Sequence, residues 1–359
     1  MSERIRIADI AEELGVSTAT VSNVIHGKTK KISARTVERV QELLEERQYI
    51  PSMAGILLAQ NDSKIIGIVI HNHEKYEGHV LEDGFISSSL NFLSGELEKS
   101  GYFMMVKVTK EWNEIARFAS MWNMEGIIVI GFCEQDYRQL KEKMHIPFLV
   151  YDGFFEKQGR FANITIDNYD GGFQMGTYFR KQGHTKCLCI SDNAICMDLE
   201  RYQGFRDALE RGAETGIEKA EGAKEGAGER ETEKETGTAD LCLIPMERAE
   251  RYRFYRENIE KLRQYTAVFA VSDYYAADLI QFLKAEKIAV PDEISVAGFD
   301  DSPLCRQIYP QITTIKQDGG LRAQTAVKKL MEMRKGITTG ETITLPVSLV
   351  ERDSVKRRI

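Results

Sequence analysis

Over the first fifty positions, apolar residues recur every three or four places. Ile7, Ile10, Ala11 and Leu14 share one face of a helix. Gly15 supplies the left-handed turn that ends it, and Val16 follows as an apolar plug. Ser17 is a good N-cap for a second helix, from Thr18 to about His26. Ser33 caps a third, with Val37, Val40, Leu43 and Leu44 as its buried stripe. Pro51 disfavours helix at Ile50. Ser52 can then cap one more short helix, Met53 to about Ala59, before a linker at Asn61-Asp62-Ser63.

From Lys64 onward the pattern changes to near-continuous apolar runs alternating with amphipathic stretches. Strands are expected at Ile65–Ile70, Tyr102–Val108, Gly126–Ile130, Phe148–Tyr151, Cys187–Ser191, Ala267–Val271 and Ser295–Phe299. Helices fit between most of them, for example Leu90–Lys99, Tyr169–Gln182, Arg201–Arg211 and Ala276–Glu286. Such runs are strands buried on both faces, in parallel sheets of an α/β architecture. The length of this region suggests two sheets rather than one. Residues 213–239 break the rhythm, with Ile217 their only large apolar residue. A stretch so poor in apolar surface cannot repay its ordering entropy, so it reads as a disordered surface insertion.

Composition narrows the class. The 359 residues are 42% hydrophobic and 29% charged, ordinary for a globular chain of two to three domains. A clean apolar stretch such as Gly126–Phe132 is far short of the roughly 18 residues of a membrane span. The start, Met-Ser-Glu-Arg-Ile-Arg, has no apolar signal core, so a soluble, cytoplasmic protein is expected. Six scattered cysteines show no C-x-x-C pair, and Cys187 and Cys189 alternate so as to pack on one face. No metal, cofactor or disulfide framework is expected. The net charge of −7 argues against non-specific nucleic-acid binding. Its distribution changes that picture, because residues 1–60 hold eight Lys/Arg and eight Asp/Glu and are neutral. Within them Lys28, Lys30, Lys31 and Arg35 form a basic patch.

That neutral segment has the chemistry of a helix-turn-helix. Ala11 is small enough for two helices to cross closely, Gly15 makes the turn, and Val21 anchors the second helix. The outward face of the second helix shows Thr18, Ala19, Ser22 and Asn23, short groups that fit a major groove. Ser17, Thr20 and His26 suit phosphate oxygens.

Here the sequence resembles the lactose-repressor (LacI) family of bacterial transcriptional regulators. TATVSNVIHG and TVERVQELLEERQYIP look like that family's DNA-binding headpiece. DLERYQGFRDALE, VSDYYAADLIQFLKAEKIAVPDEISVAGFDDSP, ITTIKQD and LPVSLVERDS are similar to its effector-domain motifs. The resemblance implies a headpiece (1–48), a hinge helix (49–60) and an effector-binding and dimerisation domain (61–359). The last would comprise two α/β subdomains of periplasmic-binding-protein type, 64–163 with 319–345 and 164–318 with 346–359. Thr18, Ala19 and Asn23 would read the groove, with Lys31 on the backbone. Leu58 matches a leucine that wedges between base steps in the minor groove. Gly55 and Ile56 depart from the family's usual hinge residues, and Asn23 stands where it often has Arg, so operator preference does not carry over.

In open α/β sheets, ligands sit beyond the carboxyl ends of the strands. Asp152, Ser272, Asp273, Asp300 and Asp301 follow such ends, and Arg201 is expected to open a helix after one. Carboxylates and a guanidinium converging on a cleft suit a polyhydroxy ligand. The resemblance marks Asp152, Arg201, Ser272 and Asp300 as effector contacts and adds Gln317, while Asp273, also taken as a contact, matches the acidic residue of a family motif that reads Asn-Asp where this chain has Ser272-Asp273. Phe154, Phe155, Tyr274 and Tyr275 offer a stacking wall. No catalytic set appears, since adjacent Asp300 and Asp301 point apart and Gly171-Gly172 and Gly319-Gly320 are bare pairs. The expected protein is therefore not an enzyme. It is a homodimeric repressor on near-palindromic operator DNA, controlled by a small molecule such as a sugar or sugar phosphate. The alternatives are the same fold sensing a nucleobase, or a solute-binding protein without DNA binding.

Overall fold

In a computed structural model, residues 5–50, 63–155, 162–210, 237–337 and 340–358 are described. The chain divides into two units, residues 1–63 and 64–359, each described by itself.

The first unit holds three helices, α1 (Ile7–Leu14), α2 (Thr18–Ile25) and α3 (Ala34–Glu46). Gly15 takes φ +65° at the end of α1, and the amide of Val16 closes the turn by donating to the Ala11 carbonyl at 3.0 Å. Ser17 and Ser33 cap α2 and α3, their hydroxyls accepting from the amides of Thr20 (3.1 Å) and Thr36 (3.2 Å). Ile10, Ala11, Val21, Val24, Val40 and Leu43 are buried together as the core. Each large member contributes about 1.5–3 kcal/mol relative to exposure. The expected hinge helix, with Leu58, lies outside the described residues apart from Tyr49 and Ile50.

The second unit contains two six-stranded sheets. The first runs β11-β5-β4-β3-β1-β2 and is wholly parallel: β1 (Ile65–His71), β2 (Phe103–Thr109), β3 (Gly126–Ile130), β4 (Phe148–Tyr151), β5 (Asn163–Ile166) and β11 (Thr342–Leu345). The second runs β12-β10-β9-β8-β6-β7: β6 (Lys186–Ser191), β7 (Thr238–Leu243), β8 (Ala267–Ala270), β9 (Ser295–Asp300), β10 (Thr313–Gln317) and β12 (Val347–Val350). Only β12 there is antiparallel to its neighbour. Around them lie α4 (Gly84–Lys99), α5 (Asn113–Met121), α6 (Glu134–Lys143), α7 (Asn168–Lys181), α8 (Cys196–Glu210), α9 (Arg248–Glu257), α10 (Asp273–Ala285) and α11 (Gly319–Arg334). Among the described residues no helix is long and apolar enough to cross a membrane.

The chain passes between the sheets three times: after β5, after β10 and at Pro346. The first passage comes three residues later than the sequence reading set it, because Ile164–Ile166 still pair with β11. Two other expectations shift. Thr238 and Ala239, counted with the insertion, begin β7 and pair with Lys186 and Cys187. Alternating burial on an edge strand hid them. Helix α8 starts at Cys196, so Arg201 lies in its second turn rather than opening it. Cys187 and Cys189 are both fully buried in one core cluster, as inert packing.

Two helices touch at backbone distance. A Cβ on Gly172 of α7 would lie 1.9 Å from the Arg201 carbonyl oxygen, and one on Gly204 of α8 would lie 2.0 Å from that of Tyr169. The Gly171-Gly172 pair thus has a packing role, fixing the height at which Arg201 leaves its helix.

Candidate functional site

Two surfaces carry the candidate residues. On the first unit, Ser17, Thr18, Ala19, Asn23 and Lys31 are exposed, while Thr20, Ser22 and His26 are half-buried along the same helix and its end. Val21 and Val24 face inward, which turns the short polar side of α2 outward. The Ser17 and Thr20 hydroxyls lie 2.9 Å apart and cap the helix together, leaving Thr18, Ala19 and Asn23 as the unencumbered face. Lys28, Lys30 and Arg35 are exposed beside Lys31.

On the second unit a cavity of about 660 Å³ opens between the carboxyl ends of the two sheets. Asp152, Arg201, Ser272, Asp273, Asp300 and Gln317, drawn from β4, α8, α10, β9 and β10, all line it. The Arg201 side chain is only 8% exposed. Its Nε donates to Asn168 Oδ1 at 2.9 Å and its Nη1 to the Val271 carbonyl at 2.7 Å. Its guanidinium rests 3.8 Å over the Phe299 ring, with Asp198 at 3.7 Å. Nη2 has no hydrogen-bond partner among the described residues and is the donor left for a ligand.

The carboxylates divide by what already holds them. Asp273 accepts from the Ser302 amide (2.7 Å) and the Thr314 hydroxyl (2.6 Å), so it braces the loop after β9. Burial lifts its pKa to about 6, against hydrogen bonds from Cys305, Thr314 and Ser302 that favour the charged form. Asp300 is pushed well above the usual carboxylate range. Burial is the main cause; Arg201 opposes it, and Asp273, Asp83 and Asp152 add to it. Asp300 and Asp301 take φ +124° and +55°, and Asp152 φ +62°. Three non-glycine residues in the left-handed half of the map concentrate backbone strain at the cleft. The Ser272 hydroxyl caps α10 through the Tyr275 amide at 3.4 Å.

Residues that sequence reasoning missed complete the wall. Gln317 donates to Asp300 and accepts from Arg322 Nη2, and Arg322 Nη1 lies 3.4 Å from Asp152. This chain of contacts joins the second sheet to the first behind the cavity. Arg322 is 1% exposed, between the rings of Phe85 and Tyr151. Lys75, Asp83, Asp192 and Asp198 also line the cavity. Lys75 is exposed, its ammonium 5.2 Å over the Tyr76 ring, and the carboxylates of Asp192, Asp198 and Asp83 favour its charged form, holding its pKa above the usual lysine value. Only Asp83 left a readable signal, as the cap of α4 that accepts from the Phe85 and Ile86 amides. Of the four aromatics expected as a wall, Tyr274 and Tyr275 line the cavity. Phe154 and Phe155 line a separate one of about 250 Å³, because the chain turns away after Asp152. Among the described residues no group of three side chains is placed to hold a metal ion.

Comparison with known proteins adds five findings. A family model for "Bacterial regulatory proteins, lacI family" matches residues 6–52, and one for a "Periplasmic binding protein-like domain" matches residues 177–355. The chain is 27% identical to the HTH-type transcriptional repressor PurR of Vibrio atlanticus (strain LGP32), covering 98% of each. The lac repressor dimer bound to operator and the anti-inducer ONPF has a similar structure, with TM-score 0.79 and 21% identity over 99% of this chain and 100% of that one. A complex of the transcriptional regulator CelR with cellobiose is similar at TM-score 0.66 and 20% identity, over 98% and 100%.

Proposed function

The chain belongs to the lacI family of bacterial regulatory proteins, and from that premise we propose how it reads DNA and what controls it. It is a transcriptional regulator, acting as a repressor. In a homodimer, α2 of each protomer enters the major groove of one half of a near-palindromic operator. Thr18, Ala19 and Asn23 reach base edges, and Lys31 with its basic neighbours holds phosphates. A neutral headpiece alone supplies little affinity, and two on one axis make the second contact intramolecular.

The effector is a small polyhydroxy molecule of sugar type, bound in the 660 Å³ cavity. One observation carries this: six polar residues spread from Asp152 to Gln317 in sequence line the same cavity, and Arg201 offers Nη2 to it. A carboxylate accepts two vicinal hydroxyls as readily as a guanidinium donates to them. The cellobiose held by CelR favours the same class. Tyr274 and Tyr275 could stack on a nucleobase, the second reading, but such a ligand offers few donors to so many acceptors. Anisotropy of a labelled operator, titrated with protein in the presence of sugars, sugar phosphates and nucleobases, tests the whole proposal. A sugar that changes operator affinity in the wild type but not in Arg201→Ala supports it. Specific binding that responds only to a nucleobase replaces it.

A further inference from the structure

The cavity wall has a charge pattern that bears on which sugar it accepts. Eight acidic side chains line it against two basic ones, Lys75 and Arg201. Proteins commonly hold a phosphate with backbone amides at helix starts, and here four such amides beside the cavity are already taken. Phe85 and Ile86 at the start of α4 donate to Asp83 at 3.1 and 3.0 Å. Tyr275 at the start of α10 donates to Ser272, and Ser302 donates to Asp273. The first turn of α8 carries Asp198, which neighbours Arg201. Lys75 stands in the negative field of Asp192 and Asp198, and Arg322 behind the wall is paired with Asp152. The lining cations are thus offset from within, while Glu77, Glu82 and Asp83 add acidic groups to the lining that neither lining cation pairs with. Arg201 is the counter-observation that marks a built site, being nine-tenths buried with Nη2 open. One such nitrogen grips a hydroxyl but does not neutralise a dianion.

We propose that the effector is an unphosphorylated polyhydroxy compound, and that the cleft rejects the phosphate ester of that same compound. This rests on the cleft being the effector site, as argued above. A dianion brought against unbalanced carboxylates meets repulsion from several charges at once, and its affinity should fall at least about a hundredfold.

The test uses the full chain, with thermal shift and calorimetry. The probes are free aldoses, ketoses and disaccharides, the phosphate esters of each, nucleobases, and inorganic phosphate alone. A free sugar should stabilise the protein, with its ester at least about a hundredfold weaker and inorganic phosphate inert. Asp83→Asn keeps an acceptor oxygen for the Phe85 and Ile86 amides while removing one charge, and should narrow the gap between sugar and ester about tenfold. An ester that binds as well as its parent sugar overturns the proposal and leaves the effector site standing. So does inorganic phosphate that stabilises the wild type but not Arg201→Ala. Stabilisation by nucleobases with no response to any sugar or ester overturns the sugar reading, and this proposal with it.

Discussion

The proposed DNA-reading helix and the proposed effector cleft are built in opposite ways. The headpiece candidates from Ser17 to Lys31 are neighbours in sequence, and local chemistry turns each one outward. A cap starts the helix, two valines bury one side, and the other side is left exposed. In the cleft, the wall is drawn from Lys75 to Gln317, and side chains such as Asp300 and Gln317 are held by one another and by Arg322 behind them. The difference teaches that a surface reader can be specified by one short stretch. A buried reader must be specified by everything that packs behind it. Substitutions should therefore behave differently in the two places.

The largest effect is expected far from any ligand atom. Gly172→Val places side-chain carbon on the Arg201 carbonyl and against the Phe205 amide, helix backbone that cannot step aside as a side chain can. Overpacking of this kind should cost about 3 kcal/mol, read as a lower urea midpoint, and should abolish the effector response. A variant with parental stability would break the comparison, since the cleft would then not depend on its backing.

The pH dependence of stability is a second long-range effect. The buried His184 ring bonds through Nδ1 to the Thr266 hydroxyl and through Nε2 to the Lys356 carbonyl, each at 3.0 Å. Burial, then Arg358, push its pKa down to about 4, against the bond to Lys356. The fold holds the neutral ring, so its contribution is complete above pH 6.5 and is lost as pH falls from 6.5 towards 4. That amounts to about 3 kcal/mol across the window. Urea midpoints from pH 7 to 4 should fall more steeply for the wild type than for His184→Gln, and equal slopes would refute the assignment.

Arg201→Ala sharpens the contrast from inside the cleft. Effector binding should weaken by about one to two decades, with operator binding retained. The Val271 carbonyl and Asn168 lose their partner, so the melting temperature should drop as well. An unchanged effector midpoint would remove Arg201 from the site.

On the headpiece, Asn23→Ala should cost about 1–3 kcal/mol of discrimination at one base pair. Its effect on melting should stay within about 0.5 kcal/mol, as for other exposed positions. Competition with operators substituted base by base would show it. Uniform weakening across all sequences would mean that Asn23 only positions the helix.

The smallest effect is expected from removing residues 214–234 and closing with a short glycine linker, because loop-closure entropy varies slowly with length. Extending the cut through Thr238 should not be neutral. The Gly237 amide bonds to the Leu209 carbonyl, and Thr238 begins the ladder with β6. Equal melting temperatures for the two deletions would show that this edge strand adds nothing.

Local signals in the sequence determined the headpiece and the centres of both sheets. Caps at Ser17 and Ser33, Gly15 in the left-handed turn, and apolar runs such as Ile65–Ile70 act within a few residues. Their outcome can be read without knowing what lies opposite. Edge and crossover elements were not legible. Strands β5, β7, β11 and β12 are short or alternate polar with apolar, and it is packing against α4 and the first sheet that places α11. The strand-end rule found Asp152, Ser272, Asp273 and Asp300, while Gln317 came only from family resemblance. Neither could say that Asp273 is consumed by Ser302 and Thr314, that Phe154 and Phe155 turn away, or that Arg322 stands behind Asp152. A side chain's residue type is local, but the partners that satisfy it come from other strands. Whether a buried charge is spent on the fold or left for a ligand is therefore decided only where those strands meet.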